Sequence, residues 1–192
     1  RALAVHPSDS DIMWAGGIAG GIWKTMDGGA SWQMQDDFMA SMAVTSIVIN
    51  PVNSDVLYAA TGDGFGDDDS DNRITRWIFK TTNGGATWTQ LDRIGAPVSD
   101  AEYIYRLAIS PDGTTLLAAT EDGILRCSEA NSDNNCQDVE DWTSIYATVA
   151  YEITDLDFKP GNSDTVVAGG ENGLVIRSTN VKAGTPTWTE IT

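Results

Sequence analysis

The chain has 192 residues, with 11 Lys plus Arg against 28 Asp plus Glu and a formal charge of -17. That balance repels phosphate backbones and anionic lipid, which excludes nucleic acid as a partner. No run approaches the roughly 18 apolar residues a membrane span needs, and the opening RALAVHP lacks the charged-then-apolar pattern of an export signal.

Arg1 opens inside a strand pattern, so the sequence is expected to be a processed or partial product with any export signal upstream. A unit of four short strands then recurs four times, and a fixed period of this kind decides the fold before any other signal. The first strands are ALAVHP from Ala2, TSIVINP from Thr45, YRLAISP from Tyr105 and TDLDFKP from Thr154, closed by Pro7, Pro51, Pro111 and Pro160. After a polar turn come the second strands, DIMWAGG, DVLYAATGDG, TTLLAATEDG and DTVVAGGENG, whose Ala and Gly suit close packing near an axis. The third carry an apolar pair and a base: Ile22-Trp23-Lys24, Ile78-Phe79-Lys80, Ile124-Leu125-Arg126 and Val175-Ile176-Arg177. The fourth carry tryptophan, in SWQMQ, TWTQL, DWTSI and TWTEI, at Trp32, Trp88, Trp142 and Trp188.

Strands of about five residues with alternating polarity, separated by turn chemistry, predict antiparallel four-stranded blades. No 3.6-residue period recurs, which excludes an α-solenoid. The expected fold is therefore all-β, a propeller of four consecutive blades spanning 1-36, 44-92, 104-146 and 153-192, and part of a larger propeller. Trp14 and Trp23 are both expected to point into the core between blades.

The link from third to fourth strand is the most specific signal. It reads TMDGGASW in blade 1, with Thr25, Asp27, Gly29, Ser31 and Trp32 matching the Asp-box pattern. Blade 2 has TTNGGATW, with Thr81, Asn83, Gly85, Thr87 and Trp88. A short polar side chain here caps its own turn, the glycines take positive φ, and the tryptophan staples the hairpin to the sheet. Blades 3 and 4 depart from the pattern: STNVKAGTPTW lacks the glycine pair, and blade 3 carries RCSEANSDNNCQD instead. Cys127 and Cys136 in that polar stretch read as a surface loop closed by a local disulfide in an oxidising compartment.

On GGIWKTMDGGASW and WIFKTTNGGATW, the chain resembles the sortilin-like BNR-repeat propellers of secreted Bacteroidetes-type proteins, which are type IX secretion substrates. It is more distantly similar to xyloglucanase-type glycoside hydrolases. The resemblance implies more than four blades, an extracellular or cell-surface location, and usually no assigned activity.

Antiparallel connection places the loops between second and third strands on one rim with the segments between blades, and the Asp-boxes on the other. The first rim holds 16–20, 62–73, 35–43 and 92–102, and loops on a rigid scaffold are where binding groups concentrate. In TGDGFGDDDSDNR, Asp67, Asp69 and Asp71 are candidate Ca²⁺ ligands, against the alternative of a solvated acidic loop. This is no EF-hand, because Asn72 stands where glycine belongs and Ile78 where the bidentate Glu belongs. Phe65, Asp63 and Phe38 are candidate ligand contacts.

Asp63 is also the candidate acid for glycoside hydrolysis, which needs paired carboxylates. It lies one residue from where the xyloglucanase resemblance implies a catalytic aspartate. His6, the sole histidine, precedes Pro7 and reads as a packed or capping residue, so no Ser/His/Asp or Cys/His set forms around it. The expected function is a scaffold binding protein or glycan through the loop rim of blades 1 to 3. The alternatives are a glycoside hydrolase fragment using Asp63, or a purely structural component.

Overall fold

The computed structural model describes residues 2–18, 20–35, 43–62, 77–91, 103–128, 130, 136, 141–148 and 150–191. Its strands form four separate four-stranded antiparallel sheets. The first contains β1 (Ala2–Val5), β2 (Met13–Gly16), β3 (Ile22–Thr25) and β4 (Gln33–Met34). The second contains β5 (Val44–Ile49), β6 (Leu57–Thr61), β7 (Ile78–Thr81) and β8 (Thr89–Gln90). The third contains β9 (Ile104–Ile109), β10 (Thr115–Thr120), β11 (Gly123–Ser128) and β12 (Trp142–Ala147). The fourth contains β13 (Ile153–Phe158), β14 (Val166–Gly170), β15 (Val175–Ser178) and β16 (Thr189–Glu190). Each sheet keeps sequence order from edge to edge, so every unit is a simple meander.

The first strands line the axis: β1 packs on β5, β5 on β9 and β9 on β13. The small residues of the second strands serve a neighbouring need, the close approach of one blade to the next blade's first strand. A Cβ on Gly16 would stand 2.5 Å from Val44 Cγ1.

Strand alternation gives each sheet two faces with distinct partners. Toward the preceding blade runs one cross-strand row: Leu3, Ala15, Trp23 in blade 1; Ile47, Ala59, Phe79 in blade 2; Leu107, Ala118, Leu125 in blade 3; Leu156, Ala168, Ile176 in blade 4. In blades 2 to 4 that row is buried, whereas Leu3 is 64% and Trp23 39% exposed. Trp14, 1% exposed, lies in the core between blades 1 and 2 as expected, while Trp23 stands at the row position that Phe79 and Leu125 take toward a preceding blade and is exposed in this segment. They point to opposite faces because Trp14 pairs with Lys24 and Trp23 with Ala15, and only the Trp14 face meets blade 2.

Toward the following blade each sheet presents an apolar side chain paired across strands with a base: Trp14 with Lys24, Tyr58 with Lys80, Leu117 with Arg126 and Val167 with Arg177. The two lysines lie over the rings beside them, at 4.9 Å from Trp14 and 5.5 Å from Tyr58. Three apolar clusters fill the molecule, one at each seam between neighbouring blades.

The cysteine pair corrects the surface-loop expectation. Cys127 and Cys136 are bonded to each other and both are fully buried, among Val56, Tyr58, Leu116 and Trp142. Cys127 occupies the strand position of Thr25 and Thr81, which faces the core, and the bond draws Cys136 in after it.

Candidate functional site

The turns between third and fourth strands share one rim with the loops between first and second strands, because a backbone amide joins them in every blade. Gly28 donates to Asp11 O, Gly84 to Asp55 O, Ala130 to Thr114 O and Val181 to Asp164 O, at 2.9 to 3.0 Å. The opposite rim is tied in the same way: Val44 donates to Gly17 O, Gly62 to Ala43 O, Thr148 to Asp122 O and Glu171 to Glu152 O. It holds the loops between second and third strands and the segments between blades.

On the turn rim, buried Thr25 donates to Asp27 Oδ1 at 2.7 Å, and Asp27 accepts from the Ser31 amide at 2.8 Å and the Ser31 hydroxyl at 2.6 Å. Gly29 N donates back to Thr25 Oγ1. Blade 2 repeats this with Thr81, Asn83, Gly85 and Thr87. Gly85 sits at φ +91, and a Cβ there would press to 2.9 Å from Trp14 Nε1 across the seam.

Blade 4 builds the same cradle from residues that sequence inspection passed over. Ser178 donates to Asn180 Oδ1, which accepts from the amide and hydroxyl of Thr187, just before Trp188. The signal was present as Ser-x-Asn and Thr-Trp, separated by an insertion that carries no glycine pair. In blade 3 the disulfide stands in place of the cradle, and Trp142 Nε1 donates to Cys136 O at 3.4 Å. Trp188 similarly donates to Ile145 O of the preceding blade at 3.0 Å, while Trp32 is only half-buried.

Hydrogen bonds from the Ser31 hydroxyl and amide, then from Thr25, hold the Asp27 carboxyl down to about 2. At Asp112, burial alone would raise the carboxyl, but hydrogen bonds from Lys182, Ser110 and Thr114 override it and hold it well below the usual range. A carboxyl depressed in the folded state contributes stability above its unfolded value, lost as pH falls toward the folded one. Asp27→Asn, which installs the side chain blades 2 and 4 already use, is expected to leave the thermal midpoint near neutrality unchanged. It should also lessen the drop between about pH 4 and pH 2. Melting curves at both pH values check it; an unchanged drop would show that the Asp27 cradle does not titrate with folding.

On the loop rim, the seam between blades 3 and 4 gathers Tyr105, Glu152, Glu121 and Glu171. The Tyr105 hydroxyl donates to Glu152 Oε2 in a short hydrogen bond, and its ring lies 6.3 Å from that of Tyr103. Burial, then the bond to Glu152 and the negative charges of Glu152, Glu121 and Glu171, push the Tyr105 phenol far above its ordinary range. Tyr105 therefore stays a protonated donor at every physiological pH and orients Glu152. Tyr151 beside it is exposed. Sequence inspection missed this group because its members come from β9 and from three separate connections of blades 3 and 4, and form no local motif.

The other predicted contacts, Asp63, Phe65, Phe38 and the metal candidates Asp67, Asp69 and Asp71, lie outside the described residues. Among the described residues no three His, Cys, Asp or Glu side chains come together to hold a metal ion. His6 accepts from the Ser8 amide through Nδ1 at 3.3 Å and stacks toward Trp14. A shallow depression of about 200 Å³ on blade 1 is lined by Lys24, Met26, Asp27, Ser31, Gln33 and Gln35. Among the described residues no helix is long and apolar enough to cross a membrane.

Among solved structures the chain is similar to the Niastella koreensis GH74 enzyme, with 20% identity and a TM-score of 0.66 over 98% of this chain and 28% of that one. The fold is that of the GH74 propellers. The GH74 xyloglucanase from Xanthomonas campestris matches at 12% identity and TM-score 0.70, over 99% of this chain and 29% of that one. An ancestral GH74 enzyme matches at 18% and 0.64, over 99% and 27%. The chain thus spans less than a third of each GH74 structure, as a partial propeller does. No family model and no curated protein matches it.

Proposed function

We propose that this chain is a segment of an extracellular carbohydrate-active propeller, a glycoside hydrolase that engages polysaccharide along its loop rim. The observation that carries this reading is the correspondence of 98 to 99% of the chain with GH74 enzymes, one of them described as a xyloglucanase. Chemistry on the rim supports it. Aromatic faces at Tyr103 and Tyr151, with Glu152 held by Tyr105, offer the stacking and hydrogen-bonding surfaces that sugar rings and hydroxyls require. The buried disulfide supports an oxidising compartment. Asp63, next in sequence to Gly62 on this rim, is the proposed acid, and its carboxylate partner would come from another part of the ring.

The test is to incubate the longest natural form of the protein with xyloglucan and other β-glucans and measure reducing ends. Hydrolysis is expected, falling at least 100-fold in Asp63→Asn with polysaccharide binding retained. Binding without turnover would return the chain to the role of a non-catalytic scaffold, and neither binding nor turnover would overturn the reading.

A further inference from the structure

Each seam spends a polar side chain of one blade on the turn of the next. Lys24 Nζ donates to Gly84 O at 2.8 Å, the Tyr58 hydroxyl to Ala130 O at 2.7 Å, and the Arg126 guanidinium to Val181 O at 2.6 Å. Arg126 reaches Ala183 O as well. Trp14 holds the strand position of Tyr58, yet at its seam the carbonyl goes to Lys24. The Trp14 indole N–H, on a side chain 1% exposed, has no acceptor among the described residues. A buried donor left unpaired costs free energy, which a partner of the right chemistry would restore.

The residue beside that donor differs from its counterparts. Gln35 and Leu91 hold the same strand position, their amides donating to Ile22 O and Ile78 O, and Ile145 takes it in blade 3, at the same spacing after the blade's tryptophan. Leu91 and Ile145 are apolar and buried. Arg126 Nε is also unpartnered, but at its seam the Ile145 side chain offers no polar atom. Between blades 1 and 2 the position is polar: a Cβ on Gly85 would lie 2.9 Å from Trp14 Nε1 and 3.3 Å from Gln35 Oε1, so an unspent donor and an amide oxygen face one small space. Trp88 packs on this seam too, and its indole N–H has no acceptor among the described residues, whereas Trp188 gives its own to Ile145 O. Gln35 also lines the depression of about 200 Å³, with Lys24, Gln33, Asp27 and Ser31. Lys24 pairs with Trp14 on one side and Gln33 on the other, which sets this lining on the face that meets blade 2.

We propose that this depression is a binding site for a single neutral sugar unit, with Gln35 and the Trp14 indole N–H at its inner end. A hydroxyl both accepts and donates, so one seated beside Gln35 takes the Trp14 proton and gives its own to Gln35 Oε1. A neighbouring hydroxyl accepts from the Lys24 ammonium, which gives one proton to Gly84 O and keeps others free. It donates to Asp27 Oδ2, which accepts from Ser31 alone among the described residues. Asp27 and Lys24 line the site together, so neither a simple anion nor a simple cation is matched, while paired hydroxyls meet both. A volume below the ~300 to 1,000 Å³ of drug-sized pockets limits the occupant to one ring. The site is separate from Asp63 and the loop rim, and neither is needed for it.

Nuclear magnetic resonance of the protein, isotope-labelled at its tryptophan nitrogens, tests this. The probes are methyl glucoside, methyl galactoside and methyl xyloside, whose blocked anomeric carbons cannot condense with Lys24. The indole N–H resonance of Trp14, identified by its loss in Trp14→Phe, is expected to move saturably with at least one of them, with a Kd on the order of millimolar. Gln35→Leu installs the side chain that blade 2 carries at this position. Its thermal midpoint is expected to match or exceed the wild type, and its sugar affinity to fall by about tenfold or more, the worth of one hydrogen bond. Glycine and acetate are the zwitterionic and anionic probes, and neither is expected to move the resonance. A Trp14 resonance that no sugar moves would overturn the proposal. So would one that glycine or acetate moves in place of the sugars, or sugar binding of unchanged strength in Gln35→Leu. Hydrolysis at the loop rim enters none of these readouts, so failure here is distinct from failure of the proposed activity.

Discussion

Replacing Phe79 by alanine is expected to destabilise the chain by about 3 to 5 kcal/mol, as truncation of a buried aromatic ring does where the site cannot collapse. Phe79 is 1% exposed and sits in the seam between blades 1 and 2 with Ile47, Ala59, Leu57 and Trp14 around it. Its neighbours are held by two sheets, so the space it leaves cannot be closed by moving a loop. The same substitution at the matching row position of blade 1, Trp23→Ala, should cost the 192-residue segment only about 1 kcal/mol, because that ring is already partly in water there. Urea midpoints of the two variants check the contrast. Equal losses would mean that the row is set by strand propensity rather than by stacking between blades. Repeat architectures can unfold in steps, so the midpoint is to be read by both tryptophan fluorescence and circular dichroism.

Removing the bond between Cys127 and Cys136 should cost about 2 to 4 kcal/mol, the usual range for a disulfide closing a short loop. The pair is nine residues apart and both sulfurs lie in the core beside Val56 and Tyr58. The double variant Cys127→Ala, Cys136→Ala avoids burying new hydroxyls, so it isolates the cross-link and its packing. Thermal midpoints with and without reductant are the measurement. The wild type is expected to fall on reduction toward the variant, and the variant to be indifferent to reductant. Because Ala130, inside this loop, gives its carbonyl to Tyr58, the loss should extend to the seam with blade 2. A local change confined to blade 3 would contradict that link.

The blade pattern was legible in the sequence because each strand is encoded locally, by alternation and by a proline or glycine at its end. The cradle of blade 1 was equally legible, since Thr25, Asp27 and Ser31 bond to one another within seven residues. The cradle of blade 4 was not, because its insertion separates Asn180 from Thr187 and hides the pattern while leaving the geometry intact. For Trp14 and Trp23 the alternation tells which residues share a face but not which blade each face meets. Burial of the cysteine loop, and the convergence of Tyr105 with Glu152, depend on contacts between residues far apart in the chain or between blades. Neither leaves a trace in local composition.

The passing of a hydrogen bond from each sheet to the turn of the next has a consequence for how such a protein changes over generations. Because blades 2 and 3 each offer a donor on one side, Tyr58 and Arg126, and an acceptor on the other, the carbonyls of Gly84 and Ala130, either can follow the other without a matching substitution elsewhere. Duplication or loss of such a unit leaves both new neighbours satisfied, while a break inside a unit orphans a carbonyl and a donor at once. Rings of different circumference are therefore reachable by copying whole modules, and the joints between modules are where such events are tolerated.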